Sequence, residues 1–173
     1  MKKKQNLPLI VSGALSAVLL GVMDVFLLPA IERAADGLRC FDLQLFGYDF
    51  ETARAFVQAL SAQGRQLYLF AQLPVDCVFL VAYTVFFVLV LKRLSAPRAM
   101  VVVWPAVLAA SDFCENCCTA VLLCGFDRLS SATVAVFGKV TGFKSMMMYA
   151  VFVALVISAV RFALNKRKQK RAA

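Results

Sequence analysis

The chain has 173 residues, 62% of them hydrophobic and 17% charged, with a mean hydropathy of +0.79, whereas a soluble domain carries about 45–50% apolar and about 25% charged residues. Lys and Arg number 19 against 10 Asp and Glu, Cys numbers six, and His is absent, which excludes His-ligated zinc, haem and copper and all His-based acid–base or triad chemistry. The composition is that of an integral membrane protein, and it names neither a reaction nor a cofactor.

Four stretches, 7–29, 67–91, 99–123 and 141–163, are apolar over the roughly 20 residues that a helix needs to cross a hydrocarbon core about 30 Å thick. They predict an all-α fold, an antiparallel four-helix transmembrane bundle forming a single domain over residues 1–173. Basic residues flank the spans: Lys2, Lys3 and Lys4; then Lys92, Arg93 and Arg98; then Arg161, Lys166, Arg167, Lys168, Lys170 and Arg171. The positive-inside rule therefore puts both termini and the middle turn in the cytoplasm of a multi-pass cell-membrane protein whose first partner is the lipid bilayer. The opening MKKK and its apolar run have an alternative reading as a cleaved signal peptide, against which the length of the run counts. The closing KRKQKR follows a span directly, so it reads as a stop-transfer and lipid-contact segment and implies no nucleic acid.

Span one carries Ser16 and, two turns on, Asp24 near its outer end. In the outer connection over 30–66, Asp49 is placed to cap an amphipathic interfacial helix over 50–63, whose apolar positions include Ala53, Phe56, Val57 and Leu60, with Gly64 as its stop. Such a helix serves either as a lid or as a passive connector on the membrane surface. In span two Arg65, Tyr68, Gln72, Asp76 and Tyr83 follow at steps of three, four, four and seven, which places them on one face.

Span three repeats that pattern with Asp112, Glu115 and Asn116 at i, i+3 and i+4. Cys114, Cys117 and Cys118 interleave with them as a CxxC, the spacing of disulfide-exchanging enzymes. Adjacent carboxylates raise a thiol pKa, however, and no helix N-terminus lowers it here, so packing is the expected role. Cys40 and Cys124 both fall on the outer side, where an oxidising compartment would allow them to pair. Ser130 or Ser131 can cap the last helix, which is expected to start outside the hydrocarbon. Gly138 and Gly142 form a GxxxG in it, and Lys144 follows near the outer start of span four. Met146, Met147 and Met148 are a run suited to packing.

The chain resembles an uncharacterised group of small four-pass, mostly bacterial membrane proteins. The resemblance rests on Phe41-Asp42 followed by Gly47-Tyr48, on Gly64-Arg65 with Tyr68 leading to Asp76, and on Pro105 followed by Asp112, Glu115 and Asn116. It covers roughly half the chain and implies a four-pass fold but no activity; the cysteines around Glu115 depart from its pattern.

All the intramembrane charges lie within roughly 15 Å of the outer boundary at 1.5 Å per residue, which predicts one shared site. Four unpaired carboxylates would cost on the order of 10 kcal/mol, so Arg65 and Lys144, with Lys139 farther out, are the expected compensating cations. The predicted ligand-binding set is Asp24, Arg65, Tyr68, Asp76, Asp112, Glu115, Asn116 and Lys144, holding a lipid head group, a small polar ligand or a cation. Within it Asp112 and Glu115 suit proton handling or metal contact, Asn116 suits hydrogen bonding, and Arg65 suits an anion clamp. Two other readings stay open: a membrane-embedded enzyme using Asp112 or Glu115 as acid or base, and a scaffold whose ion pairs only fix helix register. Transport by so small a chain, without evident inverted repeats, would require a homo-oligomer.

Overall fold

The computed structural model describes the backbone of residues 2–172 and the side chains of residues 6–167. The basic side chains of Lys2, Lys3, Lys4, Lys168, Lys170 and Arg171 lie outside the described residues. Among the described residues all regular structure is helical. In chain order it comprises α1 (Lys2–Val22), a π-helical segment Met23–Leu27 and α2 (Leu28–Arg33). Next come α3 (Phe50–Ala59) and α4 (Ala62–Leu67), a second π-helical segment Tyr68–Gln72, α5 (Leu73–Arg93), α6 (Arg98–Gly125) and α7 (Ser131–Ala172). Four continuous helical runs are long and apolar enough to cross a membrane: Asn6–Arg33, Ala62–Arg93, Arg98–Arg128 and Ser131–Arg167. Each extends past the apolar stretch that announces it, because the helix continues into its polar flanks.

Both π-helical segments have the same local cause. Pro29 and Pro74 have no N–H to donate, and each is the second residue of the α-helix that follows. The preceding turn widens, so that the N–H of Leu28 reaches the carbonyl of Met23 and the N–H of Leu73 reaches that of Tyr68, five residues back instead of four. The two widened turns pack against each other.

The connection between α2 and the second long helix folds into a cap with its own core. Asp49 accepts from the Thr52 N–H at 2.8 Å, the expected N-cap, and this bond lowers the carboxyl's pKa. The helix then ends at Ala59, not at residue 63: Leu60 is extended, and Ser61 starts α4 by accepting from the Gly64 N–H at 3.1 Å. Gly64 is therefore no stop signal. It is buried inside α4, where a Cβ would lie 2.6 Å from that of Ala34, so its missing side chain serves close packing. The apolar face of α3 does not lie free on a surface. Ala53, Phe56 and Val57 are buried in a cluster with Phe41, Tyr68 and Leu122, Phe41 and Phe56 having ring centroids 4.8 Å apart.

Gly138 and Gly142 do not join two helices. They let the turn at Phe46–Tyr48 lay its backbone on α7: Gly47 has φ +81°, and a Cβ on Gly138 would collide with the Tyr48 carbonyl. Ser130 caps α7 by accepting from the Thr133 N–H at 3.1 Å. Between α5 and α6 the chain turns at Ser95, whose φ is +55°. The long helices pack in sequence, α1 on α5, α5 on α6 and α6 on α7, whereas α1 and α7 share almost no contacts. A second apolar cluster, of Tyr83, Phe87, Leu108 and Val151, lies between the loop end and the turn end of these helices.

Candidate functional site

Three long helices and the cap bring the acidic side chains together at the loop end. From α6, Asp112 and Glu115 are 1% and 0% exposed, and Lys144 of α7 reaches both, 3.1 Å to Asp112 Oδ1 and 2.5 Å to Glu115 Oε2. Tyr83 of α5 donates to the other oxygen of Asp112 at 2.8 Å, and Asn116 Nδ2 donates to Asp76 Oδ2 at 2.6 Å. Asp76 is only 3% exposed, and the neutral Asn116 amide is the donor its carboxylate meets, whereas the Oδ1 of Asp42 is buried without a partner among the described residues. Buried carboxylates normally carry such partners.

The cap contributes a carboxylate that the hydropathy pattern hides. The short helical turn Phe41–Leu43 points Asp42 inward, where it accepts a hydrogen bond from the Tyr68 hydroxyl. Tyr48, also in the cap, is buried beside Thr141 and Glu115. Burial pushes its phenol well above the usual range, the Thr141 hydroxyl opposing that rise and the Glu115 charge adding to it. Around Glu115 the polar atoms exceed their partners: Glu115 Oε1, Asn116 Oδ1, Thr119 Oγ1 and both side-chain ends of Gln72 are buried without one.

A cavity of about 550 Å³ runs from this cluster along the seam between α1 and α7, floored by α5. Asp24, Asp42, Asp76, Asp112 and Lys144 line its charged end; Gly13, Phe79, Phe86, Phe87 and Phe152 line the apolar remainder. Its size suits a small organic ligand. Asp24 stands exposed at the mouth, in the first π-helical segment.

Of the eight residues the sequence singles out, Asp24, Asp76, Asp112 and Lys144 line the cavity, while Glu115, Asn116 and Tyr68 support it from behind. Arg65 does not belong to it. The guanidinium donates to the Leu123 carbonyl at 2.5 Å and reaches the Val57 carbonyl at 3.5 Å, so it holds the last turn of α6 and pairs with no carboxylate. The helical stripe places Arg65 on the correct face but a turn too near the cap. Lys139 is exposed on α7 and likewise forms no ion pair. One ammonium, not two or three, thus serves the whole cluster among the described residues. Asp42 and Tyr83 are site residues that hydropathy and spacing did not rank; Tyr83 lay on the polar stripe of span two, and the Phe41-Asp42 piece of the resemblance was the available signal for the other.

The cysteines stay outside this chemistry. Cys40 is buried with its thiol 3.8 Å from the Leu28 carbonyl, Cys124 is exposed, and both are free thiols, so the candidate disulfide does not form. Burial, then the charges of Asp42 and Glu32, holds the Cys40 thiol well above its usual range. Cys114 and Cys117 are exposed on the far face of α6. Among the described residues no group of three or more His, Cys, Asp or Glu is arranged to hold a metal ion. Compared with known proteins, the chain matches no family, no curated protein and no solved structure.

Proposed function

We propose that the chain is a multi-pass cell-membrane protein, an antiparallel four-helix transmembrane bundle with both termini cytoplasmic, whose outward-facing pocket binds a lipid head group, a small polar ligand or a cation. The observation that carries this reading is the cavity at the loop end, where Asp24, Asp42, Asp76 and Asp112 face a single ammonium, Lys144. That ammonium is already held by Asp112 and Glu115, so the Asp76 carboxylate, met only by the neutral Asn116 amide, and the exposed carboxylate of Asp24 call for a positive or hydrogen-donating guest. Binding is favoured over acid–base catalysis because both candidate catalysts are engaged: Asp112 by Tyr83 and Lys144, Glu115 by Lys144 behind the cavity wall. It is favoured over a scaffold because a purely structural ion-pair network has no use for an open cavity with an unsatisfied carboxylate on its wall.

The test is native mass spectrometry of the gently solubilised full chain, comparing wild type with Asp76→Asn. A co-purifying lipid, small molecule or ion that the variant loses supports the pocket. A wild type that stays empty, and remains so after added lipids and monovalent or divalent cations, overturns it.

A further inference from the structure

The cavity has two chemically different ends and one long open side. Its charged end lies level with Asp24; its apolar end reaches Gly13, eleven residues along α1, or about 16 Å at 1.5 Å per residue. Its open side is the seam where α1 and α7 fail to meet. The apolar residues that line the cavity on either side of that seam are exposed: Leu20 on α1 is 43% and Phe152 on α7 is 52% exposed. A helix surface of this composition faces hydrocarbon. A guest entering through the seam therefore arrives from lipid, and it needs an apolar tail to fill the Phe-lined end.

The head must satisfy two carboxylates. Asp76 is 3% exposed and meets only the neutral Asn116 amide, and neither it nor Asp24, held at the mouth by the π-helical turn, forms an ion pair among the described residues. An isolated carboxylate at that depth is costly, and an ammonium can donate to both oxygens while neutralising one charge. An anionic head would meet four carboxylates against one committed lysine.

We infer that the cavity admits, sideways from the outer leaflet, an amphiphile with a protonated amine head and a tail of about 16 Å, the amine lying between Asp24 and Asp76 and the tail along Phe79, Phe86 and Phe152. This rests on the pocket reading above and narrows it to a ligand class and an entry route. The amine is supplied either by an aminophospholipid or by a single-chain amine.

The experiment uses the full chain in a neutral maltoside detergent and photoreactive dodecylamine carrying a diazirine in its tail, with crosslinks mapped by peptide sequencing. Dodecanol and dodecanoate with the same diazirine are parallel probes; unlabelled ethylamine, dodecylamine and lysophosphatidylethanolamine are competitors. The expected result is saturable labelling of α1 around Gly13–Leu20 and of α7 around Met148–Phe152. Loss of one charge-assisted contact in Asp24→Asn or Asp76→Asn should weaken it about tenfold. Asp24 is exposed, so its variant removes a charge at the mouth without touching the buried cluster. Ala17→Trp should block labelling without removing a charge.

Equal labelling by dodecanol or dodecanoate overturns the ammonium assignment and leaves the pocket standing. Displacement by ethylamine at the concentration at which dodecylamine competes overturns the tail and the sideways route. Absence of site-specific labelling by every probe overturns both this inference and the pocket. Stronger competition by the lysophospholipid or by the free amine, with the labelling pattern as expected, identifies the source of the head.

Discussion

Replacing Lys144 by Met keeps the length of the side chain and removes the one ammonium of the buried cluster. Lys144 is 14% exposed, its partners Asp112 and Glu115 are 1% and 0% exposed, and the contacts are 3.1 and 2.5 Å. Removing one member of a buried ion pair costs about 3–5 kcal/mol, because the other charge stays behind without a partner. Here two carboxylates lose the same partner, so Lys144→Met is expected at or above the top of that range, a large part of a typical folding free energy of about 5–15 kcal/mol. The double variant Lys144→Met with Glu115→Gln removes the charge that suffers most, leaving Asp112 with its Tyr83 hydrogen bond. It is expected to recover about 2 kcal/mol or more of the loss. Unfolding by dodecyl sulfate titration in mixed micelles, followed by the fluorescence of Trp104, the single tryptophan, which packs against the Tyr83 and Phe87 cluster, measures both. A single variant within about 1 kcal/mol of wild type, or a double variant no more stable than the single, would refute the argument that Lys144 compensates two buried charges.

Arg65→Met should cost about 1.5–3 kcal/mol by leaving the Leu123 carbonyl without its charged donor, with Arg65→Lys retaining part of it; the same titration reads this, and an unchanged ligand profile in the crosslinking assay separates it from the cavity. Gly138→Leu should displace the Phe46–Tyr48 turn from α7 at a cost of about 1–3 kcal/mol, seen as new proteolytic cleavage at the exposed Phe46. Asp49 has a carboxyl pKa held below its ordinary 3.8 by the Thr52 side chain and N–H. Its contribution to the start of α3 is therefore fully present above pH 3.8 and lost as the pH falls through the lower folded value. Amide exchange at Thr52 should accelerate over that window in wild type and show no such window in Asp49→Asn. Finally, a membrane-impermeant maleimide applied to intact cells should label the exposed Cys124 and leave buried Cys40 unmodified; labelling of Cys124 only after permeabilisation would invert the proposed orientation.

The four long helices are legible in the sequence because each carries a predominantly apolar stretch of sufficient length. The convergence of Asp76, Asp112, Glu115 and Lys144 is legible for a related reason: helical spacing fixes the face on which each side chain stands, and distance along the chain fixes its depth. What hydropathy cannot convey is a contact made by irregular backbone. Asp42 reaches the site from a three-residue turn with no period, and Gly138 meets a loop where its motif suggests a helix. The polar face of span two implies a carboxylate partner for Arg65, yet the guanidinium binds a backbone carbonyl. The carbonyl at the end of α6 lies within reach of its planar donors, and it is an equally good acceptor where no water competes. Gly64 is ambiguous in the sequence because glycine ends helices and also lets them touch, and only the neighbouring Ala34 distinguishes the two uses.

The paired π-helical turns divide the first two long helices into halves that can change separately. Each turn holds one residue more than an α-turn would, so loss of a residue there is absorbed by reverting to ordinary α geometry, with any rearrangement confined to one side. In the second helix that side carries Arg65 and the cap, while Asp76, Phe79 and Tyr83 lie beyond the turn and keep their places. A lineage of such chains could therefore remodel the cap and the rim around Asp24 by single-residue insertions and deletions while the Phe-lined trough stayed in register. Variation in length among relatives would then concentrate at 23–27 and 68–72, the two stretches that face each other beside the cavity.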